Sequence, residues 1–309
     1  MVFKGLCLSG GGITGFVHLG VLDYLESKNL AKGITVVAGT SIGSVVGALF
    51  AIGMSSRTIF EKMVSVNHDI LQYSTIQDFF TTFGMDSGEY FMAQLADIFL
   101  SNGTSPLLTF GELEKTCGKH LIITGTNVSK HSTTYFTPTS HPQMRILDAI
   151  RISISIPFLF SSVVYEKDLY VDGGISDNYP LEQCIKTVSE NYPHLSNSIY
   201  CHVIGSCIES MNPRKISTIE DYIYSIFACC LKKNGKEQQE GTIYIPMTIL
   251  ETSSVEFDAD VSKRTNMFQL GKRAADEFID EKLYVRRAHL YEKTSVNTKQ
   301  RKHQRSLSI

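Results

Sequence analysis

Ser41 lies at the centre of Gly39-Thr40-Ser41-Ile42-Gly43, a G-x-S-x-G pattern. A β-branched run, Ile34–Ala38, precedes it, and an apolar run suited to a helix, Ile42–Ile52, follows. Between a strand and a helix, this pattern sets a serine oxygen on a tight turn at a helix N-terminus. The helix dipole there favours developing negative charge, and the flanking glycines let backbone pass where a Cβ would collide. The chemistry that fits is nucleophilic attack on a carbonyl. A serine helix cap with two packing glycines has the same pattern, so Ser41 alone does not decide.

Gly10-Gly11-Gly12-Ile13-Thr14-Gly15 follows an apolar strand-like run, Phe3–Leu8, and precedes a helical stretch, Phe16–Lys28. Taken alone it satisfies the dinucleotide-binding pattern G-x-G-x-x-G. A dinucleotide site also wants a carboxylate at the end of the second strand, to hold the ribose. Here that strand runs into Gly39, Thr40 and Ser41, with no acid. Consecutive glycines at a helix N-terminus also turn several backbone N–H groups toward one point, a nest for an anion. The loop therefore reads as a cradle for the oxyanion of an acyl-transfer intermediate.

A serine hydroxyl needs a base. His194 follows a proline in a polar loop, His202 falls within a predicted strand, and His289 and His303 lie near the C-terminus. None has the glycine or aspartate company expected of a triad histidine. His18 sits one turn into the first helix and reads as a packing or hydrogen-bonding residue. Asp172-Gly173-Gly174 follows the strand-like Leu169–Val171 and leads to Asp177-Asn178-Tyr179-Pro180. A carboxylate at a strand end, freed by two glycines, can reach the elbow on a neighbouring strand. It can equally be an ordinary Asp-Gly turn.

These residues need a scaffold of alternating strands and helices. Further helices are expected near Arg57–Val66, Tyr90–Leu100, Leu147–Ser153, Thr218–Leu231 and Ser262–Lys282, and strands at Leu121–Gly125, Thr133–Thr137 and Ile199–Ile204. The order predicts an α/β protein with a largely parallel sheet. Val36–Met54 contains no charge and is long enough to suggest a membrane span. Its four glycines and central Thr40, Ser41 and Ser44 fit a buried strand, turn and helix instead. No transmembrane span is expected.

The 309 residues, 43% hydrophobic and 19% charged, belong to an ordinary globular chain, and the net charge of -2 offers no global attraction to nucleic acid. Residues 286–309 carry seven Lys or Arg against Glu292, a local +6. The expected division is one domain over 1–285 and a basic, flexible tail over 286–309. The seven cysteines show neither a C-x-x-C pair nor zinc spacing, so free thiols in a reducing compartment are expected. No signal-peptide layout precedes the glycine loop. The run Tyr222–Leu231, ending in Cys229 and Cys230 before Lys232 and Lys233, reads as a buried helix with ordinary thiols, with membrane contact as the alternative.

Together the motifs resemble the patatin-like phospholipase family. The likeness runs from Lys4 to about Pro180 through Gly10-Gly11-Gly12, His18-Leu19-Gly20-Val21-Leu22, Gly39-Thr40-Ser41-Ile42-Gly43, Ser155-Ile156-Pro157-Phe158, Asp172-Gly173-Gly174 and Asn178-Tyr179-Pro180. The resemblance implies a three-layer α/β/α sandwich and hydrolysis of ester-linked acyl chains of phospholipids or related lipids, of phospholipase A or lysophospholipase type. It implies Ser41 as nucleophile, Asp172 as proton acceptor in a dyad without histidine, and an oxyanion hole from the N–H groups of Gly10, Gly11 and Gly12. Gly15, Gly39, Gly43, Gly173 and Gly174 support the motifs. Neither metal nor cofactor is implied. The partner is a lipid at a membrane or micelle surface, with peripheral membrane contact and an intracellular location. The family often has Arg or Lys where this chain has Thr14, which leaves head-group preference open. An inactive lipid-binding protein on the same fold is the alternative.

Overall fold

The computed structural model describes residues 2–66, 76–195, 202–209, 216, 217, 222, 223, 225, 226, 229, 242–246 and 260–281. In chain order the elements are β1 (Gly5–Leu8), a 3-10 turn (Gly12–Gly15), α1 (Phe16–Ser27), β2 (Val36–Gly39), α2 (Ile42–Ala51), α3 (Ser56–Ser65), α4 (Ile76–Thr82), β3 (Gly84–Asp86), α5 (Glu89–Ser101), α6 (Phe110–Cys117), β4 (His120–Asn127) and β5 (Ser132–Phe136). There follow α7 (Ile146–Ser153), β6 (Phe158–Phe160), β7 (Val163–Tyr165), β8 (Asp168–Asp172), α8 (Gly174–Asp177), α9 (Leu181–Asn191), β9 (Val203–Glu209), β10 (Thr242–Pro246) and a helix α10 over 261–281.

The main sheet runs β10-β9-β1-β2-β4-β8-β7, with β5 also paired to β4. The four pairings from β10 to β4 are parallel, and those of β4 with β5, β4 with β8 and β7 with β8 are antiparallel. The parallel half is the part the sequence order predicts. Its central strands β1 and β2 are short and buried at every position because helices cover both faces.

Strand alternation assigns the two faces. Leu6, Leu8, Val37, Leu121 and Ile123 pack with side chains of α1, α2, α7 and α10 in one large core. Cys7, Val36, Ala38 and Ile122 point the other way, against Leu181, Cys184 and Val188 of α9. The result is the three-layer α/β/α sandwich. Val36–Met54, uncharged throughout, becomes β2, a turn and α2, buried except at the half-buried Ile42 and the exposed Gly53. Among the described residues no helix is long and apolar enough to cross a membrane.

Two expectations fall partly outside the described residues. The strand expected at Ile199–Ile204 begins at Val203, residues 196–201 lying outside. Of the helix expected at Thr218–Leu231 and the run Tyr222–Leu231, only isolated positions are described, Cys229 as an exposed thiol, while Cys230 lies outside. The tail 286–309 lies outside entirely.

Candidate active site

β4 is the ruler for the site. β2 ends at Gly39, opposite Ile123, and β8 ends at Asp172, opposite Gly125. Two residues along one strand, roughly 7 Å, therefore separate the strand ends that deliver Ser41 and Asp172.

Ser41 has φ 52° and ψ -126°, a conformation that favours glycine. Holding a non-glycine residue there costs on the order of 1–3 kcal/mol, and such strain persists only when its surroundings over-determine it. They do so here. The Ser41 N–H donates to Ser153 Oγ at 2.9 Å, and the Ser44 hydroxyl donates to the Ser41 carbonyl at 2.6 Å. Thr40 Oγ1 donates to the Asp177 carbonyl at 3.0 Å, which ties the turn to α8. A Cβ at Gly43 would strike the carbonyl oxygens of Leu8 and Ser9, so only glycine allows α2 to start this close to β1.

Asp172 is fully buried. Its Oδ1 accepts the Gly174 N–H at 2.7 Å, while Oδ2 has no partner in full hydrogen-bond geometry. Burial pushes the carboxyl up to about 7, against the opposing pull of the Gly174 N–H and of the Ser41 hydroxyl. Ser41 is thus near enough to act on the carboxylate without completing a well-aligned bond. Catalytic hydrogen bonds commonly look like this before substrate arrives.

The strand ends are clamped by the segment that leaves α7. Ser155 carbonyl accepts the Asp172 N–H at 2.8 Å, and Ser153 carbonyl accepts the Gly173 N–H at 3.4 Å. Arg151 holds this segment in turn, donating to Ser155 Oγ at 2.5 Å and to the Ser161 carbonyl at 2.9 Å. Ser153 and Arg151 were not singled out from the sequence. Their only signal is position, just before Ser155-Ile156-Pro157-Phe158.

The glycine loop is fixed from below. His18, fully buried, bonds the Ser9 carbonyl through Nε2 at 2.8 Å and Ser206 Oγ through Nδ1 at 2.8 Å. Burial lowers its pKa to about 4, so the ring is neutral, and Nε2–H is the donor to the carbonyl. Of the three glycines, Gly10 spends its N–H on the Asn178 carbonyl at 3.1 Å. That bond takes Gly10 out of the set of open donors. Gly12 sits at φ +58° and lines the cavity over Ser41. Thr14, where the family often has a basic residue, is buried, and its hydroxyl bonds the Gly11 carbonyl at 2.6 Å. The loop is braced by a neutral side chain and presents no cation.

Above Ser41 lies an apolar cavity that opens to solvent, walled by Phe16, Leu19, Val46, Met63, Phe91 and Ile156. Its walls offer almost nothing but hydrocarbon, which suits an acyl chain. Among the described residues no three His, Cys, Asp or Glu side chains cluster to hold a metal ion.

Comparison with known proteins agrees with the fold. The family model described as patatin-like phospholipase matches residues 6–185. An uncharacterized protein of Acanthamoeba polyphaga mimivirus is 28% identical over 294 residues, 89% of this chain and 93% of that one. A probable lipid hydrolase of Invertebrate iridescent virus 6 is 32% identical over 190 residues, 60% of this chain and 64% of that one. Lysophospholipase NTE1 of Meyerozyma guilliermondii is 30% identical over 59% of this chain but only 12% of its own length. Among solved structures, VipD from Legionella pneumophila superposes with a TM-score of 0.55 at 18% identity, over 90% of this chain and 67% of that one.

Proposed function

The chain belongs to the patatin-like phospholipase family, and from that premise we propose that it hydrolyses carboxylic ester bonds of phospholipids or related lipids through a Ser41–Asp172 dyad. One observation carries the proposal: a buried carboxylate, raised to about 7, lies within reach of the Ser41 hydroxyl beside an apolar cavity. The names of the relatives, a probable lipid hydrolase and a lysophospholipase, support the substrate class.

In this mechanism the acyl chain lies in the apolar cavity with its carbonyl over Ser41. As Oγ bonds to the carbonyl carbon, its proton passes to Asp172 Oδ2. The N–H groups of Gly11 and Gly12 stabilise the oxyanion, each worth about 3–4 kcal/mol of barrier. The intermediate collapses, the C–O bond to the alcohol breaks, and the alcohol takes the proton from Asp172. Water then attacks the acyl-enzyme and gives a proton to Asp172, which returns it to Ser41 as the fatty acid leaves. An exposed aspartate near 3.9 would be a feeble base, and burial brings Asp172 to the operating range. The substrate lies at a membrane or micelle surface, which the protein meets peripherally.

A long-chain fluorophosphonate tests this without knowledge of the natural lipid. It should add to the tryptic peptide holding Ser41 and leave Ser41→Ala unmodified. Fatty acid release should fall at least about 1,000-fold in Ser41→Ala and in Asp172→Asn. A folded Ser41→Ala protein that still releases fatty acid refutes the dyad. A wild type that binds lipid but resists the reagent is the inactive lipid-binding alternative.

A further inference from the structure

The segment 154–160 is a partition between two cavities. On one side Ile154 and Ile156 face the apolar cavity over Ser41, and on the other Pro157 and Phe158 line a second, larger groove of about 1190 Å³. Phe160 belongs to both walls. The groove is lined by residues of β4, β5, β8 and α8. Val128, Leu169 and Val171 line it together with Asn127, His131 and Thr133, and the half-exposed Phe83 and Phe158 stand at its mouth. On β8, Leu169 and Val171 point into the groove, so Tyr170 and Asp172 point to the opposite face.

The mouth is built at a cost. Phe83 (φ 60°) and Phe158 (φ 67°) both hold left-handed backbone, and both remain about half exposed, at 52% and 49%. They are brought together because Gly84 pairs with Phe158 in the two-stranded sheet of β3 and β6. Strain of this kind persists where function uses it. Two exposed aromatics beside a mostly apolar groove mark a surface for hydrocarbon.

Resting on the lipid-hydrolase proposal, we infer that this groove takes the second acyl chain of a two-chain lipid, whose reacting chain lies in the cavity over Ser41. The occupant is argued from continuity. One partition separates the two spaces, one side chain serves both, and the same segment holds Asp172 through Ser155. A lipid astride the partition would keep its ester at Ser41 while its remaining chain enters the groove. A lipid with a single chain would leave the groove unused.

The test separates chain recognition from catalysis. In full-length Ser41→Ala protein, calorimetric titration measures binding of dihexanoylphosphatidylcholine and of a single-chain hexanoyl lysophosphatidylcholine, both as monomers below their micelle concentrations. Val128→Trp and Leu169→Trp, which fill the groove, should weaken two-chain binding at least tenfold and single-chain binding less than threefold. Leu107→Trp, an exposed apolar position outside both linings, should change neither. Equal weakening of both lipids, or of neither, in variants that melt as wild type does, overturns the groove assignment. Because binding is read without turnover, loss of the dyad would show instead as failed fluorophosphonate labelling with this binding difference intact.

Discussion

Ser153 Oγ receives the backbone N–H of Ser41 at 2.9 Å, so the strained turn is pinned by a side chain 112 residues away. The bond is buried and satisfies a donor that nothing else meets in a residue at φ 52°. Removing the acceptor leaves a buried N–H unpaired and frees the turn to relax. Ser153→Ala should therefore cost about 1–3 kcal/mol of stability. It should also lower kcat on a short-chain ester at least tenfold with KM little changed, because Ser153 does not line the cavity. An unchanged kcat in a destabilised variant would reduce Ser153 to a packing role.

Asp172 makes opposite demands on activity and stability. Its folded pKa, about 7, exceeds the ordinary 3.8, so between these values the folded chain holds a proton that the unfolded chain has released. Its contribution to stability is full below about pH 3.8 and is lost as pH rises to about 7, by up to about 4 kcal/mol. Activity runs the other way: kcat/KM should climb through an apparent pKa near 7 and level off above it. Asp172→Asn removes the charge penalty, and at pH 8 it should be inactive yet unfold at higher denaturant than wild type. A pH–rate profile already flat from pH 5 to 8, or an Asn variant less stable than wild type at pH 8, contradicts this assignment.

The strand–elbow–helix unit around Ser41 was legible because its signal is local: a β-branched run, a glycine pattern and an apolar helix stand next to one another. The parallel strands β1, β2 and β4 declared themselves as apolar runs, whereas β10 was not expected and β9 begins at Val203, near the end of the expected Ile199–Ile204. β6 and β7 were not legible, since these three-residue strands exist only through the partners they find, Gly84 for Phe158 and Tyr170 for Val163, whereas β8 was read at Leu169–Val171. α6 was missed although Thr109 and Glu112 form a complete capping box and Gly118 ends the helix at φ 62°, signals a search of apolar periods passes over. α9 was missed because Pro180 opens it without a side-chain cap. Within the site, Asp172 was readable from its glycines, but the N–H that Gly10 gives to Asn178 was not. A backbone bond across 168 residues leaves no mark on residue type.

His18 braces the glycine loop only while its ring is neutral. In the folded chain its pKa is lowered from 6.5 to about 4, chiefly by burial. Between these values the unfolded chain takes up a proton that the folded chain refuses. Its contribution is therefore intact above pH 6.5 and is lost as pH falls toward 4, by up to about 3 kcal/mol. This slope opposes that of Asp172 over the same interval, so each must be read as a variant against wild type. His18→Gln should lower the denaturant midpoint at pH 7, and its deficit relative to wild type should shrink as pH falls from 6.5 to 4. By loosening Ser9 beneath Gly10, it should also lower kcat more than it raises KM. A variant whose midpoint falls with acid as steeply as wild type would place the titrating group elsewhere, and the bond from Nε2 to the Ser9 carbonyl would then be packing without a pH role.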